Sequence, residues 1–128
     1  MAEFVKHYEV LHTKAKVDLK AAKNLYADFK SGEEDLDLDV VLFHLHQCAE
    51  KIIKSLLSYH DIDYPKVHDL ELLYNLLQGN KIKSDLDLDL LIELSDYAVE
   101  GRYAFIKEDV KDIGDYMNML EKVINNPF

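Results

Sequence analysis

His44, Gln47, Lys51 and Lys54 follow one another at spacings of three, four and three. On a helix that spacing puts them in one line. Two ammonium groups beside an imidazole and an amide make a cationic, hydrogen-bonding strip suited to a phosphate or a carboxylate. The same spacing also describes an ordinary solvated face, with Glu50 and Lys54 as an i,i+4 ion pair in the favourable order. Phe43 projects near this polar side, where an unsupported ring is unexpected, so it calls for cover from the fifth helix or from a second subunit. Arg102 is the only arginine among 15 cationic residues. Only a guanidinium offers a planar fork for bidentate contact; the plainer role is a surface salt bridge or a helix-end charge.

Other chemistries fail on spacing. His44 and Cys48 are four apart, but no third or fourth metal ligand stands near them, and Cys48 falls in an apolar arc. His46 sits at the edge of that arc, the usual place of a satisfied core histidine. Asp35–Asp39 and Asp85–Asp89 both read D-x-D-x-D. As calcium loops they would need Gly at the sixth position and Glu at the twelfth; Val40 or Leu90, and His46 or Asp96, stand there instead. No serine sits in a nucleophile motif, and Gly32, Gly79, Gly101 and Gly114 are isolated, so there is no phosphate loop. No catalytic residue, metal ligand or cofactor is assigned.

The elements that must position the strip are helical. With four Gly and two Pro in 128 residues, turn residues are too few for many short strands. A hydrophobic share of 48% argues against disorder, and the length suits a single domain, 1–128, with a core needing no disulfide. One Cys suggests a reducing compartment. The first ten residues are charged and no 18-residue apolar run occurs, so neither a signal peptide nor a membrane span is expected, and the chain reads as cytoplasmic. A net charge of −10 offers no general footprint for duplex nucleic acid.

The stretch Val40 to Leu57 is the centre of the fold. Val41, Leu42, Leu45, Cys48, Ala49, Ile52, Ile53, Leu56 and Leu57 fall on one side at about 100° per residue, a width that makes a bundle's central wall. The other side carries His44, Gln47, Glu50, Lys51, Lys54 and Ser55. A first helix over Glu3–Lys30 shows Phe4, Tyr8, Leu11, Ala15, Leu19, Ala22, Tyr26 and Phe29 at helical spacing, with Lys14, Lys16, Lys20 and Lys23 as its solvated face. Asp18 lies beside that stripe, so it is at the edge or paired with a cation from another helix. Ser31-Gly32 ends this helix. Pro65 interrupts after the central helix; Asp69 then caps a short helix that Gly79-Asn80 closes. A fourth helix starts within Ser84–Asp89 and runs to about Tyr103, and a fifth covers Glu108–Asn125. Short connections make sequential helices antiparallel: an all-α, up-and-down bundle of four main helices plus one short helix.

In order along the chain stand Ala15, Asp18 and Leu19; then Gln47, Cys48, Glu50, Lys51, Lys54 and Leu57; then His68, Asp69 and Leu70; then Arg102-Tyr103. This pattern resembles the HEPN domain (higher eukaryotes and prokaryotes nucleotide-binding), with its Q-A-x-E-K-x-x-K-x-x-L, HDL and late R-Y-P motifs; Ala104 replaces the common Pro. The resemblance runs from about Glu9 to Leu120. It implies a helical bundle similar to the C-terminal domain of kanamycin nucleotidyltransferase, commonly a homodimer. It also implies a nucleotide ligand and a separately encoded minimal nucleotidyltransferase partner, as in toxin–antitoxin-like pairs. Some family members are ribonucleases built on a paired R-x4-6-H motif. Here Arg102 is followed by YAFIKEDVKDI, and no His occurs after His68, which disfavours a divergent ribonuclease.

The leading expectation is an accessory HEPN protein. In it Gln47, Lys51 and Lys54 serve a phosphate-bearing ligand, Arg102 supplies a forked contact, His68 a hydrogen bond and Tyr103 a surface for a base. His68 as a helix-start residue and Tyr103 as core are the plainer alternatives, and a structural dimerisation or adaptor module without a small-molecule site is the rival function. The sharpest expectation is geometric: Lys51, His68 and Arg102 meet around one cleft or subunit boundary.

Overall fold

The helix signals order the chain as expected. In a computed structural model that describes residues 6–32, 38–100 and 113–128, without the side chains of 98–100, five helices follow one another. They are α1 His7–Lys30, α2 Leu38–Tyr59, α3 Leu70–Gly79, α4 Leu88–Glu100 and α5 Ile113–Asn125. There is no strand among the described residues. The expected ends at Glu3, Tyr103 and Glu108 lie outside the described residues, as does the acidic run 33–37.

α2 is the hub. It packs along α1 and touches α3, α4 and α5 as well. Its apolar wall is buried as predicted, from Val41 and Leu42 through Leu56 and Leu57, and Leu38 extends it. α1 and α2 are antiparallel: Tyr8 near the start of α1 meets Tyr59 at the end of α2, with ring centroids 5.1 Å apart. Phe128 stacks on Tyr59 at 4.4 Å, so the aromatic cluster joins both helices to the C-terminal residues. From α1, Ala15, Leu19 and Ala22 are buried against this wall; α3 adds Leu70, Leu73 and Leu77, and α5 adds Ile113, Tyr116, Leu120 and Val123.

One face differs from its sequence reading. Glu50 and Ser55, on the polar side of α2, are buried, at 5% and 1% exposure. Neighbouring segments close over this side from both flanks. Ser55 donates to the backbone carbonyl of Tyr8 on α1 at 3.2 Å, and Glu50 meets His68 from the chain leading into α3 at 2.8 Å. Besides Tyr59 at its end, the exposed apolar side chains of α2 are Val40 and Phe43, which form a narrow strip, with Phe43 52% exposed. Cover of Phe43 by α5 therefore does not occur among the described residues.

Caps fix the helix ends that set this strip. Asp69 accepts from the Leu72 backbone N–H at 3.1 Å and starts α3. Asp87 accepts from Asp89 and Leu90 at 2.9 and 3.2 Å and starts α4. Gly32 adopts φ +92 after α1, the left-handed position that glycine fills without a Cβ clash. α3 closes differently from the sequence reading. Gly79 is its last helical residue, and the left-handed position belongs to Lys81 at φ 57. Lys81 N–H bonds the Gln78 carbonyl and Ile82 N–H bonds the Leu77 carbonyl, the paired bonds of a Schellman close. α2 ends the same way, with Asp61 at φ 56 and Ile62 N–H on the Leu57 carbonyl at 2.9 Å.

Candidate functional site

Two carboxylates organise the polar side of α2. Asp18, from α1, receives Lys51 Nζ at 2.5 Å on one oxygen and faces His44 Nδ1 at 3.1 Å on the other. Asp18 is nearly buried, so its charge needs these partners. The expectation that Asp18 pairs with a cation from another helix is met. Glu50 repeats the arrangement one turn along. Its Oε2 accepts from Lys54 Nζ at 3.1 Å and its Oε1 faces His68 Nδ1 at 2.8 Å. His68 leaves its ring 78% exposed while tethering the residue before the α3 cap to the middle of α2.

The second network extends outward. Lys54 Nζ lies 5.7 Å from the Tyr64 ring centroid, within cation–π range. The Tyr64 hydroxyl meets His7 Nε2 at 3.0 Å. Burial raises the Tyr64 pKa above its ordinary value, keeping the phenol neutral. The loop from Asp61 to Asp69 is thereby fastened to α1 by His7 and to α2 by His68.

Cys48 sits between the networks, fully buried. Burial pushes its thiol far above the ordinary range; the Asp18 charge adds to this and Lys51 opposes it. A thiol in that state is a packing group, not a nucleophile or a metal ligand.

Of the sequence-predicted residues, Gln47, Lys51, Lys54 and His68 share this side of α2. Lys51 stands on its α1 edge and His68 on the edge next to α3. Arg102 and Tyr103 lie outside the described residues. The lysines differ from their sequence role in one respect: neither is a free cation, because each holds a buried carboxylate. Two clefts lie off this strip, the first at the His7–Tyr64 end of the second network. One of about 450 Å³ involves His7, Ser58, Asp61 and Tyr64, and one of about 280 Å³ lies between α1 and α5.

Among the described residues this is the order of parts that the motif pattern predicts: a first helix with Ala15, Asp18 and Leu19, a lysine-bearing central helix, and a His-Asp-Leu turn into a short helix. The model of the HEPN domain matches residues 8–126. The chain belongs to the HEPN domain family. No match is found among curated proteins or among solved structures.

The HEPN motifs can now be divided by what their side chains touch. Leu57 and Leu70 are core, Asp69 is a helix cap, and Glu50 is the buried acceptor that binds Lys54 and His68. Gln47, Lys51, Lys54 and His68 keep some access to solvent. Sequence reasoning placed Glu50 on the solvated face and gave Tyr64 no site role. The signal for Glu50 was its setting, between Cys48-Ala49 and Ile52-Ile53, in a helix packed on several sides.

Proposed function

We propose that this HEPN protein is an accessory, non-catalytic module whose working surface is the open strip of α2. A second copy of the chain docks there, and the subunit boundary takes a nucleotide or another phosphate-bearing ligand. The partner in the larger assembly is a separately encoded nucleotidyltransferase. The observation that carries this reading is Phe43. A 52% exposed phenyl ring, one turn from the exposed Val40 on the central helix of the bundle, supports a small apolar surface held for a partner.

The carboxylates shape the ligand claim. With Lys51 on Asp18 and Lys54 on Glu50, each lysine–carboxylate pair is electrically neutral. The groups left to meet a phosphate on this strip are Gln47 and the exposed face of His68, and the reading adds the Arg102 fork for the phosphate and Tyr103 for the base. Calorimetric titration with ATP and GTP is expected to give saturable heat in the wild type and at least tenfold weaker binding in Arg102→Ala. An absence of heat at millimolar nucleotide would remove the ligand claim and leave the dimerisation module, which Phe43 supports by itself.

A further inference from the structure

The first helix carries a charge pattern that the α2 strip does not use. Residues 6–30 hold six lysines against three acidic residues, in a chain of net charge −10. One of those acids, Asp18, is already bound to Lys51. Lys16, Lys20 and Lys23 are spaced four and three apart, so they share one side of α1. That side faces α5 across a groove of about 280 Å³, whose opposite wall includes Glu121 and Asn125. Its lining also includes Leu19 and Ile124, both buried.

The charges in the groove are not balanced. Lys23 Nζ is taken by Glu121 Oε1 at 2.6 Å. Among the described residues, Lys16 and Lys20 have no carboxylate within ion-pair distance. Two uncompensated ammonium groups side by side repel each other, and an anion between them relieves this. Asn24 and Asn125 add side-chain amides that can donate to oxygen. The apolar floor gives a carbon skeleton a place to lie. The volume falls just short of the range of pockets for drug-sized ligands, which starts at about 300 Å³, and suits a smaller molecule; it is too small for a helix or a duplex.

We propose that the α1–α5 groove is a binding site for a small phosphate ester, with Lys16 and Lys20 contacting the phosphoryl group. The site is separate from the α2 strip and does not depend on the function proposed there. The groove contrasts with that strip chemically: there the lysines are committed to carboxylates, and here two of three are open.

The test is a titration of the full-length, 15N-labelled chain with ribose 5-phosphate, AMP and adenosine, followed by amide chemical shifts. Saturable shifts at Lys16, Lys20, Lys23, Asn24 and Asn125 with both phosphate esters, and none with adenosine, are expected. The double variant Lys16→Glu, Lys20→Glu is expected to weaken these shifts at least tenfold while its circular dichroism stays native, and Arg102→Ala is expected to leave them intact. Shifts that persist in the double variant, drift linearly as with added chloride, or move only residues 43–68 would overturn the site. Should the double variant unfold, Lys16→Gln with Lys20→Gln provides the same comparison without charge reversal.

Discussion

At the scale of single residues, the buried carboxylates set the priorities. Removing Glu50 leaves Lys54 and the His68 tether without their acceptor, in surroundings where Glu50 is 5% exposed. Breaking a buried pair by deleting one partner costs about 3 kcal/mol, so Glu50→Ala is expected to lose roughly that in urea denaturation. The Lys23–Glu121 pair has both side chains about half exposed, and Lys23→Ala is expected to cost under about 1 kcal/mol. Equal costs for the two substitutions would show that Glu50 is not the acceptor described. Cys48 gives a second expectation. Its folded thiol holds its proton at a pH where the unfolded thiol, with an ordinary pKa of about 8.5, has released it. The unfolded chain then binds fewer protons than the folded one, so stability falls as pH rises above about 8.5 and is unaffected by this group below it. Native protein is expected to resist iodoacetamide at neutral pH and to be modified once urea unfolds it; rapid labelling of folded protein would contradict the burial of Cys48. Residue types alone showed Asp18 to be out of place beside an apolar stripe. They did not show Glu50 to be buried, because the i,i+4 spacing to Lys54 is the same on a solvated face as under a covering loop.

At the scale of elements, helix identity was legible and helix closure was less so. Apolar recurrence at three and four located all five helices, and Asp69 was readable as a cap because a short polar side chain before Leu70-Glu71-Leu72 has few other uses. The end of α3 was not readable in the same way. Gly79 marked the region, but the chain places Lys81 at φ 57, and the Schellman bonds that require this depend on how the chain turns back, not on residue preference. A Cβ at that φ costs roughly 1 kcal/mol. Lys81→Gly relieves the clash while loosening the unfolded chain, so a net gain of about 0.5 kcal/mol is expected in thermal or urea unfolding; a loss would show that the Lys81 side chain contributes more than its backbone strain costs. Asp69→Ala is expected to lose about 1 kcal/mol and to weaken the docking of His68, because the cap fixes the backbone immediately after His68.

At the scale of the whole molecule, the central helix is wrapped by the others except along one strip. The bundle was legible because its widest apolar arc, Val41 to Leu57, needed neighbours on several sides. The site was legible only in part: the line from Gln47 to Lys54 stands where spacing put it, yet the saturation of its lysines depends on Asp18, 33 positions before Lys51. Membership in the HEPN family fits this division, since the motif residues Glu50, Asp69 and Leu70 serve the fold and leave Phe43, Gln47 and His68 to face outward. That outward face is proposed to meet a second copy. Sedimentation velocity of wild type and Phe43→Glu, across a hundredfold range of concentration, tests it most directly. A dimer is expected for the wild type and a monomer with native circular dichroism for Phe43→Glu. A wild type that is monomeric throughout, or a Phe43→Glu variant that dimerises as well as the wild type, would contradict it.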